Sequence, residues 1–260
     1  MMGLGIINLA ESATLAGGNW LAGLPVTNVA TRDYAEVARS TDASESSTVI
    51  QLDHGSAKTA RVLCISAHNL SSAATITWDR GTTAGGSDVQ AGAAVNAWQI
   101  TPGAWDGRQY AAWVVADAAS ARYDTITISD EANAAGYIEL AYLWVGDLWT
   151  TTYGPSNGLT HGVQDFSGAE RGDGGAFWST RRRRIRNATM VLEALTPTET
   201  AVLHDLQVYS AGTEPVLYCA DRGIAEDRQR YGFVGLLGEL SGVEWPYHRH
   251  GRLPVRMVEL

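Results

Sequence analysis

Between Thr48 and Gly146 apolar residues recur at every second position in short runs, a period that points to strands and against helices for the first half of the chain. In "AATITW", Ile76 and Trp78 alternate with threonines. In "YDTITISD", Ile126 and Ile128 alternate with Thr125 and Thr127. In "YIELAYLWVG", Ile138, Leu140, Tyr142 and Trp144 fall on one face. "TVIQLDHG" is expected to be a short strand ending at a turn. "ARVLCISAHNLS" is expected to be a second strand ending at His68-Asn69, where asparagine suits a turn. Loops rich in Gly, Ser and Ala separate these runs, which is the pattern of a sandwich or jelly roll. Trp78, Trp113 and Trp144 lie inside strand patterns and are expected in the core.

The second half reads differently. Residues 149–178 are rich in Gly, Ser and Thr and are read as a linker and a mobile loop, roughly 151–178. From Arg182 the even positions Ala188, Met190, Leu192 and Ala194 make the buried side of a strand. "TPTE" then opens a helix, with Thr196 as N-cap, Pro197 at the first helical position and Glu199 closing a capping box. Val202, Leu203, Leu206 and Tyr209 form its expected apolar stripe, and Gly212 its C-terminal stop. "PVLYCA" is a further strand. "RYGFVGLLGELSGVEW" and "GRLPVRMVEL" make an antiparallel pair, with Leu253, Val255 and Met257 facing inward. The expected fold is mainly β, with a sandwich over 1–150 and a smaller α+β domain, strand-helix-strand-hairpin, over 179–260.

Charge supports the same division. Residues 1–150 carry seven basic and fifteen acidic side chains, residues 151–260 twelve and thirteen, and the whole chain is at −9. Lys58 is the single lysine. No apolar run reaches the ~18 residues of a membrane helix, so membrane insertion is not expected. The first residues lack a basic segment and Glu11 interrupts them, which does not read as a signal peptide. Cys64 and Cys219 sit in apolar runs and are read as buried free thiols, with a disulfide left open.

Four consecutive arginines, Arg181, Arg182, Arg183 and Arg184, are the most distinctive local feature. Alternation sends Arg181 and Arg183 to one face of a strand and Arg182 and Arg184 to the other. Nucleic-acid binding calls for a wider basic surface with interleaved aromatics, and the near-neutral second half does not supply it. Contact with acidic groups, including those of another subunit, suits the planar guanidinium better. His248 and His250 share a side of an extended segment but lack a third ligand, so no metal and no cofactor is expected. Asp53-His54 and His68 with nearby serines form no nucleophile turn. The chain has no GxSxG, HExxH or P-loop, so it is not read as an enzyme. Among nine tryptophans, Trp98 and Trp105 flank the turn-like "QITPGA" and are the candidates for stacking on a sugar.

"ARS" at Ala38 to Ser40, Asp53-His54-Gly55 at a strand end, His68-Asn69-Leu70 at the next and "GYIELAYLWVG" near the close resemble discoidin-like, galactose-binding-type sandwich domains, and more narrowly those in tail proteins of tailed bacteriophages. "LTPTE", "GTEPVLYCAD" and "YGFVGLLGEL" are similar to the second halves of such proteins. The resemblance implies a structural component of the virion tail, at the tail tip or baseplate, present in host cytoplasm during assembly. Its second domain would have a fold like those of tail-tube and distal-tail proteins. Its partners would be other tail proteins and further copies in a homo-oligomeric ring, with Arg181–Arg184 as assembly contacts and nucleic acid not expected. The alternative it leaves open is an adhesin recognising a host surface glycan.

Overall fold

The computed structural model describes residues 1–260 except 101–109, 156–157, 172–176, 181, 183, 211, 239–241 and the side chain of Tyr247. The chain divides into two compact units. A sandwich unit comprises Gly3–Trp149 and Cys219–Gly232. A C-terminal unit comprises Met1–Met2, Thr150–Tyr218 and Phe233–Leu260.

The sandwich unit contains β1 (Gly3–Gly5), β2 (Thr14–Ala16), β3 (Ala38–Arg39), β4 (Ile50–His68), β5 (Thr75–Gly81), β6 (Val95–Asn96), β7 (Ala112–Ser129) and β8 (Glu139–Gly146). The two apolar runs expected as separate strands are one 19-residue strand, β4. It pairs along most of its length with β7, but the register breaks between Asp53 and Lys58 and between Ala60 and Val62. Before the breaks β4 and β7 join β2, β5 and β6. Beyond them β4 pairs with β8, which in turn pairs with β3. Two bent strands thus carry the sheet from one layer to the other. Both layers feed one core, in which Ile50, Leu52, Ile76 and Trp78 meet Leu63, Ile65, Leu143 and Val145. Trp78, Trp113 and Trp144 are buried as expected. β8 is buried on both faces rather than one, because the segment around Asn8 covers Tyr142: the Asn8 amide donates to the Tyr142 hydroxyl at 3.0 Å.

The bend has its own chemistry. Gly55 adopts a left-handed φ of 70°, a conformation that glycine takes without cost, and its N–H donates to Asp53 Oδ1 at 2.7 Å. Arg122 clasps the same carboxylate at 2.8 and 2.9 Å. Behind it Arg80 is fully buried. Its guanidinium donates to Asp124 Oδ1 at 2.7 Å, to the carbonyls of Ala60 and Ala119 at 2.8 and 2.5 Å, and to that of Lys58 at 3.0 Å. His54 Nε2 meets the other oxygen of Asp124 at 2.9 Å.

The C-terminal unit contains β9 (Thr160–Asp165), β10 (Gly168–Arg171), β11 (Phe177–Thr180), β12 (Arg184–Leu195), α1 (Pro197–Ser210), β13 (Val216–Cys219), β14 (Phe233–Leu237), β15 (Glu244–Tyr247) and β16 (His250–Glu259). The sheet order is β13-β14-β16-β12-β9, with β15 on the start of β16. Residues 151–178, expected as linker and loop, contain strands among the described residues. β9 is a sheet strand paired with β12 from Thr160 to Asp165, and β10 and β11 form a two-stranded ribbon. β9 is held by backbone pairing and buries no side chain, so no alternation was there to read.

Leu192 and Leu195 both pair with β16, with a bulge between them. The bulge puts Ala194 at φ 53° and turns it outward, and Leu195 is buried in its place. The capping box forms: Thr196 Oγ1 accepts from Glu199 N–H at 3.3 Å, and Thr196 N–H donates to Glu199 Oε2 at 2.8 Å. Thr152 adds its N–H and hydroxyl to Glu199 Oε1 at 2.6 and 2.9 Å. The buried face of α1 is Glu199, Leu203, Leu206 and Ser210, and Tyr209 is exposed. The capping geometry rotates the helix so that residue 199 leads the buried stripe. Gly212, at φ 75°, follows the helix as expected.

A second helix, α2 (Ala225–Tyr231), belongs to the sandwich unit although it lies late in the chain. Its polar sequence hid it. Gln229 is fully buried and docks it by hydrogen bonds: Oε1 accepts from the N–H groups of Gln99 and Ile100, and Nε2 donates to the Ala97 carbonyl at 2.9 Å, while the buried Arg228 donates from Nη2 to Gln99 Oε1 at 2.9 Å. Among the described residues no helix is long and apolar enough to cross a membrane.

Candidate assembly surface

The basic run leads into β12, and its described members, Arg182 and Arg184, are exposed. Arg181 and Arg183 lie outside the described residues. Arg182 is exposed, and its N–H donates to Ser167 Oγ at 2.9 Å. Arg184 pairs across the strands with Asp165 at 3.3 Å, both about half exposed. The Ser167 hydroxyl and N–H, and then Arg184, hold the Asp165 carboxyl below the usual carboxylate range. Arg186, two residues on, is largely buried and clasps Glu259, with Nη2 at 2.7 Å from Oε1 and Nε at 3.1 Å from Oε2. The sequence reading missed this pair. Its signal was the inward parity of Arg186 with Ala188, Met190 and Leu192. Part of the positive charge is therefore neutralised inside the unit.

Next to this strand stands the ribbon β10–β11. All eight of its residues are exposed. Phe177 pairs with Arg171, and Trp178 with Glu170. Phe177 is 66% exposed and Trp178 69%, and Phe166 and Val163 add 46% and 63% nearby. Adjacent strand residues point to opposite faces, so the ribbon carries an aromatic ring on each side. A two-stranded ribbon is marginal in water by itself, and exposed aromatic rings together with arginine are the composition of protein interfaces.

The other residues singled out in the sequence fall elsewhere. Trp98 is half-buried against the sandwich core. Its indole N–H donates to the Leu70 carbonyl at 3.0 Å and its ring meets His68 and Tyr110 edge-on. These contacts hold the ring against His68 and Tyr110 while part of the residue stays accessible. Trp105 lies outside the described residues. His248 and His250 are exposed at the tip of the β15–β16 hairpin, and among the described residues no group of three metal-ligating side chains forms. His54 is spent on Asp124. His68 is buried, accepts from Leu70 N–H at 3.2 Å, and burial pushes its pKa down to about 4. Asn69 Nδ2 donates to the Tyr137 carbonyl at 2.9 Å and its Oδ1 accepts from Glu139 N–H at 2.7 Å. The Asp-His-Gly and His-Asn-Leu motifs therefore build the bend and a strand end. Both cysteines are buried and outside any disulfide, and burial pushes the Cys219 thiol up to about 12, well away from nucleophilic chemistry.

No protein-family model matches the chain, and no curated protein does. Solved structures do. SpGH29 is 13% identical, with a TM-score of 0.39 over 54% of this chain and 28% of its own length. Chitosan-binding module 1 of a chitosanase/glucanase from Paenibacillus sp. IK-5 is 16% identical, with a TM-score of 0.37 over 54% of this chain and 98% of the module. The family 32 carbohydrate-binding module of C. perfringens NanJ, solved with galactose, is 15% identical, with a TM-score of 0.38 over 55% of this chain and 98% of the module. The fold of this chain is mainly β and sandwich-like, and its structural neighbours include discoidin-like carbohydrate-binding modules.

Proposed function

We propose that this chain is a non-catalytic structural protein of a tailed-phage tail, acting through assembly contacts on its C-terminal unit. The observation that supports this most is the β10–β11 ribbon, which presents Phe177 and Trp178 on opposite faces. A ribbon flanking its own body would need an apolar side chain on one face only. Aromatic rings on both faces suit an arm that a neighbouring protein covers from two sides. The exposed guanidiniums of Arg182 and Arg184 beside it suit carboxylates at the rim of such an interface. The experiment is a double substitution, Phe177→Ser with Trp178→Ser. The isolated variant should melt as the parent does while its incorporation into virions falls at least tenfold. Incorporation at the parental level would overturn the reading.

A second reading is glycan binding by the sandwich unit, which the carbohydrate-binding modules among the structural neighbours favour over a tail role. Trp98 is half-buried there, with its indole N–H already given to the Leu70 carbonyl. Titration of the protein with host-surface polysaccharide separates the two readings: saturable binding abolished by changes in the sandwich, with assembly intact, would establish the second.

A further inference from the structure

The C-terminal unit contains a half-open cleft of about 440 Å³, lined by Tyr153, Glu193, Ala194, Pro246, His250 and Arg252 among others. That volume lies within the usual range of small-molecule sites. Tyr153 is 72% exposed, and with Pro246 it lines one wall of the cleft. The β12 bulge forms another wall. Ala194, at φ 53°, turns out of the strand together with Glu193, and bulges of this kind re-aim side chains next to binding sites. Arg252 faces Glu193 with Nε at 3.3 Å from Oε1, and Glu244 with Nη1 at 3.6 Å from Oε2. All three side chains keep 44–61% of their surface open to solvent.

The charge decides the ligand class. The lining carries one carboxylate, Glu193, and one guanidinium, Arg252, and Glu244 beside them also faces Arg252, so a phosphate, sulfate or carboxylate ligand would have to compete with two carboxylates for that guanidinium. A cation would have to displace Arg252 from both partners. A neutral polyol meets neither obstacle. Its hydroxyls accept from the guanidinium and donate to the carboxylates, which is the reciprocal pattern that acceptor-only and donor-only side chains offer when placed together. The apolar C–H face of a pyranose ring matches the exposed face of Tyr153.

We propose that this cleft binds a neutral saccharide unit, with Tyr153 stacking on the ring and the Glu193–Arg252 pair fixing its hydroxyls. The site lies in the unit that carries the arm and goes beyond the assembly reading. The test uses the full chain with methyl β-galactoside, methyl β-glucoside and methyl β-N-acetylglucosaminide, and with glucuronate as the anionic counterpart. Binding is read by amide chemical-shift changes. At least one of the neutral glycosides should shift residues near Tyr153, Glu193 and His250–Arg252, with a dissociation constant in the millimolar range, and glucuronate should bind more weakly. Tyr153→Ala should weaken binding by about tenfold and Glu193→Gln severalfold, both with unchanged melting temperatures, since both side chains are exposed. Trp178→Ser should leave binding unaltered, which keeps this result separate from that of the assembly test. No shift with any neutral glycoside, tighter binding of glucuronate, or binding indifferent to Tyr153→Ala would each overturn the proposal.

Discussion

Arg80 shows how much of the sandwich hangs on one side chain. It is fully buried, yet it binds one carboxylate and three carbonyls on the two bent strands. A buried ion pair adds little over a well-packed apolar group, but removing one member strands the other. Arg80→Met leaves Asp124 and three carbonyls without this donor, and should cost about 3–5 kcal/mol in urea unfolding. His68 makes a second prediction. Its folded pKa of about 4 lies below the ordinary value of 6.5, so the unfolded chain binds more protons between those values. The contribution of His68 should be complete above pH 6.5, fall as pH drops toward 4, and level off below, about 3 kcal/mol in total. Denaturation midpoints measured from pH 4 to 7 should show this slope, and His68→Gln should flatten it.

At the scale of elements, the best-placed carboxylate is Glu199. Burial alone pushes its pKa up, but hydrogen bonds from Thr196 and Thr152 outweigh burial and leave it below the usual range. The stability it confers is therefore full above its unfolded pKa and lost as pH falls through the folded one. Thr196→Ala should cost about 1 kcal/mol. Glu199→Ala should cost about 2–3 kcal/mol, because it strands donors from two segments at once. A smaller loss for Glu199→Ala than for Thr196→Ala in thermal unfolding would show that Thr152 contributes nothing. The capping box was legible because its residues are local and their spacing is fixed by the helix. The apolar faces of β5, β7 and β16 were legible from a period of two. The strand β9, the helix α2 and the bend in β4 were not. The first two are held by hydrogen bonds from backbone or from Gln229, which leave no hydrophobic period. The bend depends on Arg80, Asp124 and Asp53, far apart in sequence. Arg186 was legible in its parity, and its partner Glu259 was not.

At the scale of the molecule, the chain does not visit its two units one after the other. Cys219–Gly232 returns to the sandwich unit, where Gln229 satisfies two N–H groups and a carbonyl between Ala97 and Ile100. A fragment ending at Trp149 lacks that helix. It should melt lower than the sandwich within the full chain, and should exchange amide hydrogens faster at residues 97–100. Equal stability of the fragment would mean that α2 only decorates the unit.

The proposed role of the aromatic ribbon is that of an assembly arm. It is tested most directly by hydroxyl-radical footprinting of Trp178, quantified by mass spectrometry in the isolated protein and in purified virions. An assembly arm gives rapid oxidation in the free protein, where the side chain is open to solvent, and strong protection in the particle. Equal oxidation of Trp178 in both would contradict it.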